Sequence, residues 1–172
     1  YREIEENQLR LSIKTDDVDT FQKILSNLGM SVNSKIREST LENYQRYSDE
    51  ISLISFAISF NSIKIIKFLI MNNVEFHDED DFSAVLTHNN EIIHLVESNM
   101  VDTFKVFSLI DSIGSWNFDM VEYSIENYDF DYIEKSDIDS ELDDKVLNLF
   151  NQTVVSKNFV FFESFLLPFL KK

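Results

Sequence analysis

A stretch of 25 residues, from Ser52 to Phe76, constrains the fold of this chain more than any other: SLISFAISFNSIKIIKFLIMNNVEF. It holds two apolar segments, 53–58 and 63–70, separated by a polar pair. In the second segment the apolar residues at 65, 66, 69 and 70 recur with the period of an α-helix. The pattern predicts two short helices joined by a turn.

Polar residues mark the ends of both predicted helices. Asn tolerates the left-handed conformation that ends many helices, and Ser caps the helix that follows. Asn61-Ser62 therefore predicts the turn between the helices, and Asn72-Asn73 predicts the end of the second. Lys64 and Lys67 lie off the apolar stripe of the second helix, so we expect them to face water.

The same unit recurs along the chain with irregular spacing. Its predicted copies span 8–33, 49–76, 77–100, 101–131 and 142–172, and a polar insertion at 34–48 is predicted to form a loop with a helical turn. The equivalent positions Phe21, Ile66, Ile93, Val121 and Phe162 are separated by 45, 27, 28 and 41 residues. Repeat units contact only their neighbours, so such variation is tolerated in the loops. The sequence favours one domain of stacked helix pairs, with an irregular helical bundle as the alternative.

Two units carry more detailed expectations. In the first, we expect Leu9, Leu11 and Ile13 to lie in a short first helix, and Asp16-Asp17 to form the turn. Gly29 and Asn33 are predicted to end the second helix. In the third unit, residues 77–81 are predicted to form an acidic loop before the first helix.

At the template stretch the chain resembles the ankyrin repeat. Ser52–Ile58 correspond to the family's Thr-Pro-Leu-His-Leu-Ala-Ala run, Asn61-Ser62 to its Gly-His turn, and Asn73-Val74-Glu75 to its exit. Leu53 and Ser55 stand in place of the family's Pro and His, and Asn replaces both turn glycines. The chain is similar to the ankyrin-like domains of unknown function that are expanded in some parasitic protists. The resemblance is closest over residues 50–130.

This resemblance implies an all-α solenoid of about five divergent units and a non-catalytic scaffold that binds a protein partner. In ankyrin domains, partners contact the concave groove, the inter-repeat loops and the first helix of each pair. Carried onto this sequence, the partner-binding positions are Asp49, Glu50, Ser52, Ser55, Ser59 and Phe60 in the second unit, and Asp78, Glu79, Asp80 and Asp81 in the third.

Charge narrows the class of partner. The formal net charge is −16, which disfavours nucleic acid and anionic membrane surfaces because both are bound through Lys and Arg. The acidity predicts either a basic protein partner or a solvated surface that keeps the chain soluble. With no cysteine, no apolar signal core at the N-terminus and no apolar run of membrane-spanning length, we expect a soluble cytoplasmic protein.

The residues that could support chemistry are few. His88, His94 and Glu91 could ligate zinc, but they span a predicted turn and no second cluster supplies further ligands. The acidic run 137–144 resembles a calcium loop, although Leu142 replaces its glycine and Asn148 its final glutamate. Two glycines in the whole chain cannot build a usual phosphate loop. We therefore predict no catalytic residue, no cofactor and no metal.

Aromatic residues crowd the C-terminus. They are Phe159, Phe161, Phe162, Phe165 and Phe169. Core packing explains them, and the alternative is an exposed apolar edge that another repeat or subunit covers. That alternative predicts a different function, in which the domain is an architectural subunit of a larger assembly.

Overall fold

The computed structural model describes residues 2–37, 50–77, 79–100, 111–127, 153, 155, 157–161 and 163–164. The chain divides into two compact units, Tyr1–Asn99 and Met100–Lys172. Each is described by itself below.

The N-terminal unit consists of helix pairs and one short hairpin. Its elements are α1 (Arg2–Lys14), α2 (Val18–Asn27), β1 (Lys35–Arg37), β2 (Glu50–Ser52), α3 (Leu53–Ser59), α4 (Ile63–Met71), α5 (Glu79–Leu86) and α6 (Asn90–Glu97). In the C-terminal unit, residues 111–115 are helical and are followed by α7 (Phe118–Asn127), and a short helix α8 spans Phe159–Phe161. The predominance of helix confirms the predicted all-α class.

Three helix pairs pack in two layers in the N-terminal unit. The first helices form one layer, in which α1 packs on α3 and α3 on α5, and in the other layer α2 packs on α4. The core between them is apolar and includes Leu9, Ile13 and Ile66, none of which has any exposed surface. Phe21 meets Phe68 edge to face with ring centroids 5.9 Å apart, a preferred aromatic geometry.

Each helix pair turns through one residue in the left-handed conformation. These residues are Asp16 (φ 53°), Asn61 (φ 57°), His88 (φ 53°), Trp116 (φ 61°) and Lys157 (φ 55°). They are separated by 45, 27, 28 and 41 residues, the spacings predicted for the repeats. In the second pair, the N–H of Asn61 bonds to the carbonyl of Ile58 and that of Ser62 to the carbonyl of Ala57, both at 3.0 Å. The predicted turn at Asn61-Ser62 is confirmed.

The second helices of the first two pairs end next to Gly29 and Asn73, as predicted, but Asn33, the other residue predicted to end α2, lies six residues beyond Asn27. Gly29 has φ 63° and Asn73 has φ 56°. The N–H of the next residue then reaches back to a carbonyl five residues earlier: Met30 to Leu25 and Val74 to Leu69, both at 3.1 Å. This bond satisfies a carbonyl that the helix leaves without an intrahelical partner. Lys64 and Lys67 are exposed, as their position off the apolar stripe predicts.

Neighbouring pairs are joined by a bond that recurs in both compact units. In the second and fifth pairs, the residue after the turn residue donates a side-chain hydrogen to the carbonyl that lies three residues before the turn residue of the preceding pair. Ser62 Oγ donates to Ile13 O at 2.5 Å in the N-terminal unit, and Asn158 Nδ2 donates to Ile113 O at 3.1 Å in the C-terminal unit. In the third pair, Asn89 Nδ2 donates instead to Asn61 Oδ1 at 3.1 Å. Ser62 occupies the predicted N-cap position of α4 but makes no side-chain capping bond there.

The start of the predicted insertion forms a strand where a loop was predicted. Residues Lys35–Arg37 pair antiparallel with Glu50–Ser52, and Ile36 lies opposite Ile51. Both isoleucines are buried, with 2% and 3% exposure. Three residues are too few to show alternation in the sequence, and the partner strand lies beyond residues 38–49, which fall outside the described part of the chain.

Leu9, Leu11 and Ile13 lie in α1, as predicted. Leu9 and Ile13 are fully buried, and Leu11 between them is 60% exposed, because residues two apart lie on nearly opposite faces of a helix. One further expectation is corrected. The predicted acidic loop at 77–81 is instead interrupted by α5, which begins at Glu79. Acidic residues in a first helical turn are favoured by the helix dipole.

Candidate functional site

The structure separates the predicted partner-binding residues into a buried group and an exposed group. Ser52 (6% exposed), Ser55 (0%), Asp80 (0%) and Asp81 (2%) are buried, which corrects the expectation that a partner can reach them. Glu50 and Glu79 are exposed, and Ser59 and Phe60 are half-buried. Asp49 and Asp78 lie outside the described residues.

The burial of α3 explains this outcome. The helix packs on α1, α4 and α5, and β2 leads directly into it. Every residue from 53 to 58 is buried as a result. The ankyrin resemblance implies that a partner contacts the first helix of each pair. In the second pair, residues 53–58 of that helix are not accessible to a partner.

Ser52, Ser55 and Asp80 form a buried polar chain between the second and third helix pairs. Ser52 Oγ caps α3 by accepting the N–H of Ser55 at 3.1 Å, and the two hydroxyl oxygens lie 2.6 Å apart. Ser55 Oγ donates to Asp80 Oδ1. The N–H of His77 donates to Asp80 Oδ2 at 2.8 Å, and Asp80 returns its own N–H to the carbonyl of His77 at 2.9 Å. These serines therefore have internal partners.

Burial raises the pKa of the Asp80 carboxyl, because removal from water disfavours its charged form. The hydrogen bonds from Ser55 and His77 act in the opposite direction. His77 Nδ1 lies 3.8 Å from Asp80 Oδ2, beyond hydrogen-bond distance.

The buried polar chain of Ser52, Ser55 and Asp80 does not have the arrangement of a catalytic triad. In a triad the base lies between the hydroxyl and the carboxylate, so that it takes the hydroxyl proton. Here the carboxylate of Asp80 lies between Ser55 and His77, and the Ser55 hydroxyl has no exposure to substrate. The arrangement holds helix pairs together and does not activate a nucleophile.

Ser59 and Phe60 also make internal contacts. Ser59 Oγ donates to the carbonyl of Ser55 at 2.8 Å. The ammonium of Lys14 lies 4.8 Å from the ring centroid of Phe60 and 5.9 Å from that of Phe56, within the range of cation–π attraction. Phe60 therefore links the second pair to α1.

Of the predicted surface, Glu50 and Glu79 are the exposed members among the described residues, and we define the hairpin edge as these two together with Lys35 and Arg37. All four side chains are exposed, and Arg37 lies opposite Glu50 in the strand register. Glu79 adjoins Asp80, which the buried chain joins to Ser52 at the end of β2. The hairpin edge thus carries both signs of charge. Its two cations were missed because the insertion gave no strand signal.

The histidines are not arranged as a metal site. His94 Nδ1 lies 3.1 Å from Glu97 Oε2, while Glu91, its predicted companion, pairs with Lys67 at 2.6 Å. His88 is the exposed turn residue of the third pair. No group of three metal-ligating side chains occurs in the described ranges.

The C-terminal unit exposes four large apolar side chains, which together we call the apolar edge: Trp116 (45% exposed), Val155 (77%), Phe159 (62%) and Val160 (54%). Phe161 is buried at 3% exposure. Phe162, Phe165 and Phe169 lie outside the described residues. The predicted aromatic cluster is therefore divided between core and surface where the structure describes it.

Comparison of the chain with protein-family models, with curated proteins and with solved structures found no match. None of the described helices has the length and hydrophobicity needed to cross a bilayer.

Proposed function

We propose that this protein is a non-catalytic protein–protein interaction module built from divergent ankyrin-like helix pairs. The observation that supports it is the recurring contact from Ser62 to Ile13 and from Asn158 to Ile113. Both bonds join equivalent positions of neighbouring pairs, as expected if the pairs are repeats stacked in one way. Stacked repeats generally serve to present extended binding surfaces.

We place the partner at the hairpin edge. Its four charged side chains lie on two short strands and on the first turn of α5, so the backbone fixes their positions. The net charge of −16 favours a basic partner, because long-range attraction accelerates encounter. A cytoplasmic location belongs to the same proposal.

Site-specific photo-crosslinking in a lysate of the source cells tests this function. A photoreactive amino acid would replace Glu50 or Glu79 in turn, and the matched controls would carry it at Gln22 or His94, which are exposed on second helices. We expect one protein to be crosslinked from both hairpin-edge positions and from neither control, with a yield that falls as salt is raised. Equal yields from all four positions, or none from positions 50 and 79, would contradict the proposal.

A second candidate is an architectural subunit of a larger assembly. The apolar edge supports it, because Phe159 and Val160 expose more than half of their surface to water. If this edge is an assembly contact, the double variant Phe159→Ser, Val160→Ser should dissociate complexes that high salt leaves intact. Mass photometry of the purified protein would show the change, and unchanged masses would count against this role.

A further inference from the structure

The buried polar chain has a defined direction. Ser55 gives its hydroxyl hydrogen to Asp80, so Ser52 is left to donate to the Ser55 oxygen. Ser52 Oγ in turn accepts the N–H of Ser55. The Asp80 carboxylate therefore accepts one hydroxyl, from Ser55, and the N–H of His77, while Ser52 reaches it only through Ser55.

This carboxylate has no exposed surface. The neighbouring helix α3 (LISFAIS) contributes no ionisable side chain, and α6 contributes only Glu91, His94 and Glu97, of which Glu91 and His94 are exposed and Glu97 contacts His94. On α5 itself, Glu79 precedes Asp80 and adds a second negative charge, and Asp81 follows Asp80.

Among the described residues, His77 is the cationic candidate beside Asp80. Its Nδ1 lies 3.8 Å from Asp80 Oδ2, and its imidazole is 37% exposed. A hydrogen bond is shorter than this, so His77 offsets the burial of the Asp80 charge only in part. Glu50, the ionisable residue of β2, is exposed.

We propose that Ser52, Ser55, Asp80 and His77 form a proton-sensitive latch between the second and third helix pairs, which closes more tightly in acid and loosens toward neutral pH. When the latch is open, water solvates Asp80 and its carboxyl ionises normally. When it is closed, burial disfavours ionisation, so the closed form binds the proton more tightly. Proton uptake must then shift the equilibrium toward the closed form.

The direction of the effect on stability follows from the same linkage. Burial raises the pKa of Asp80 above 3.8 in the folded protein. Between 3.8 and the raised pKa, the folded state holds more protons than the unfolded state. The contribution of Asp80 to folding is therefore most favourable below this interval, and it is lost as pH rises through it.

Two measurements on the full chain test the latch. NMR of the carboxyl carbons would give the titration midpoint of Asp80 in the wild-type protein, and denaturant unfolding from acid to neutral pH would compare wild type with Asp80→Asn. The matched control is Asp19→Asn, an exposed aspartate in the first turn of α2.

We expect the Asp80 midpoint to exceed that of a free aspartate. The folding equilibrium constant of wild type should fall relative to Asp80→Asn as pH rises, about tenfold for each pH unit of that excess. Asp19→Asn should show no such trend. A midpoint at or below the ordinary value would overturn the latch, as would a constant difference between wild type and Asp80→Asn. The NMR titration decides alone if Asp80→Asn fails to fold.

Discussion

The N-termini of α2 and α4 are capped in different ways, although each follows the same left-handed turn. In α2, the N–H of Thr20 bonds at 3.1 Å to Asp17, which belongs to the same helix pair. In α4, the equivalent N–H of Ile65 bonds at 3.0 Å to Asp16 of the preceding pair, which also accepts the N–H of Lys64. The first pair caps itself, and the second depends on its neighbour.

The side chain after each turn explains the difference. Ser62 gives its hydroxyl hydrogen to Ile13 and makes no capping bond in α4. Asn158 has two polar atoms: its Nδ2 bonds to Ile113, and its Oδ1 accepts the N–H of Phe161. The amide of Asn158 therefore both joins two helix pairs and caps a helix. In the second pair, Ser62 joins the pairs and Asp16 caps α4.

The largest expected effect comes from a position that is buried in the second pair and exposed in the first. Phe56 and Leu11 both lie five residues before their turn residue, with 1% and 60% exposure. Phe56→Ala should lower the free energy of unfolding by about 3–5 kcal/mol, because it leaves a cavity in the core. Leu11→Ala should change it by less than about 0.5 kcal/mol. Denaturant unfolding would measure both, and equal losses would show that the two pairs are packed alike.

Ser62→Ala should have the next largest effect. It removes the hydroxyl bond to the buried carbonyl of Ile13, which still accepts the N–H of Asp16 at 3.0 Å, so the expected cost is that of one hydrogen bond, about 0.5–1.5 kcal/mol. Ser59→Ala is the matched control, because that hydroxyl bonds at 2.8 Å within its own helix and is half-buried. If Ser62→Ala and Ser59→Ala lower the free energy of unfolding equally, the hydrogen bond between pairs contributes no more to stability than one within a helix.

Asp16→Gly tests the cap that the first pair supplies to the second. Glycine adopts the left-handed conformation readily, so the variant removes the carboxylate without straining the turn. We expect a loss of about 0.5–1 kcal/mol, because an N-cap typically contributes about 1 kcal/mol and glycine recovers part of it in a left-handed turn. His88→Gly replaces an exposed turn residue of the same φ, 53°, and should be neutral or slightly stabilising. A neutral Asp16→Gly would mean that α4 needs no cap from its neighbour.

Local features of the fold were predictable from the sequence. Asn61, Asn73 and Gly29 are residue types that accept a left-handed conformation, and each adopts it. The turn residues Trp116 and Lys157 have no such preference. Their left-handed conformation is explained by their position in the repeat and not by their residue type.

The candidate site was far less predictable. Ser55 and Asp80 lie 25 residues apart, and the sequence pattern gave no sign that they bond. Polar residues before and within short helices indicate a solvated surface by default, so Asp80 was expected in an exposed loop. The hairpin was missed for a related reason, because the pairing of β1 with β2 is a contact between distant segments.

The smallest expected effect concerns the self-capped helix α2 and depends on pH. The side-chain hydrogen bond from Thr20, together with its backbone N–H, lowers the pKa of Asp17 below 3.8. The folded state then binds the Asp17 proton more weakly than the unfolded state, so the contribution of this cap is complete above pH 3.8. It is lost as pH falls from there through the lowered pKa.

Asp17→Asn isolates this contribution, because asparagine is also a good N-cap but does not ionise. The stability difference between wild type and Asp17→Asn should be constant near neutral pH and should shift against wild type in acid. Asp80→Asn should show the opposite trend, since burial raises the pKa of Asp80. Unfolding curves of both variants over one pH series would compare the exposed and the buried aspartate directly. If the two trends had the same sign, one of the two assigned environments would be wrong.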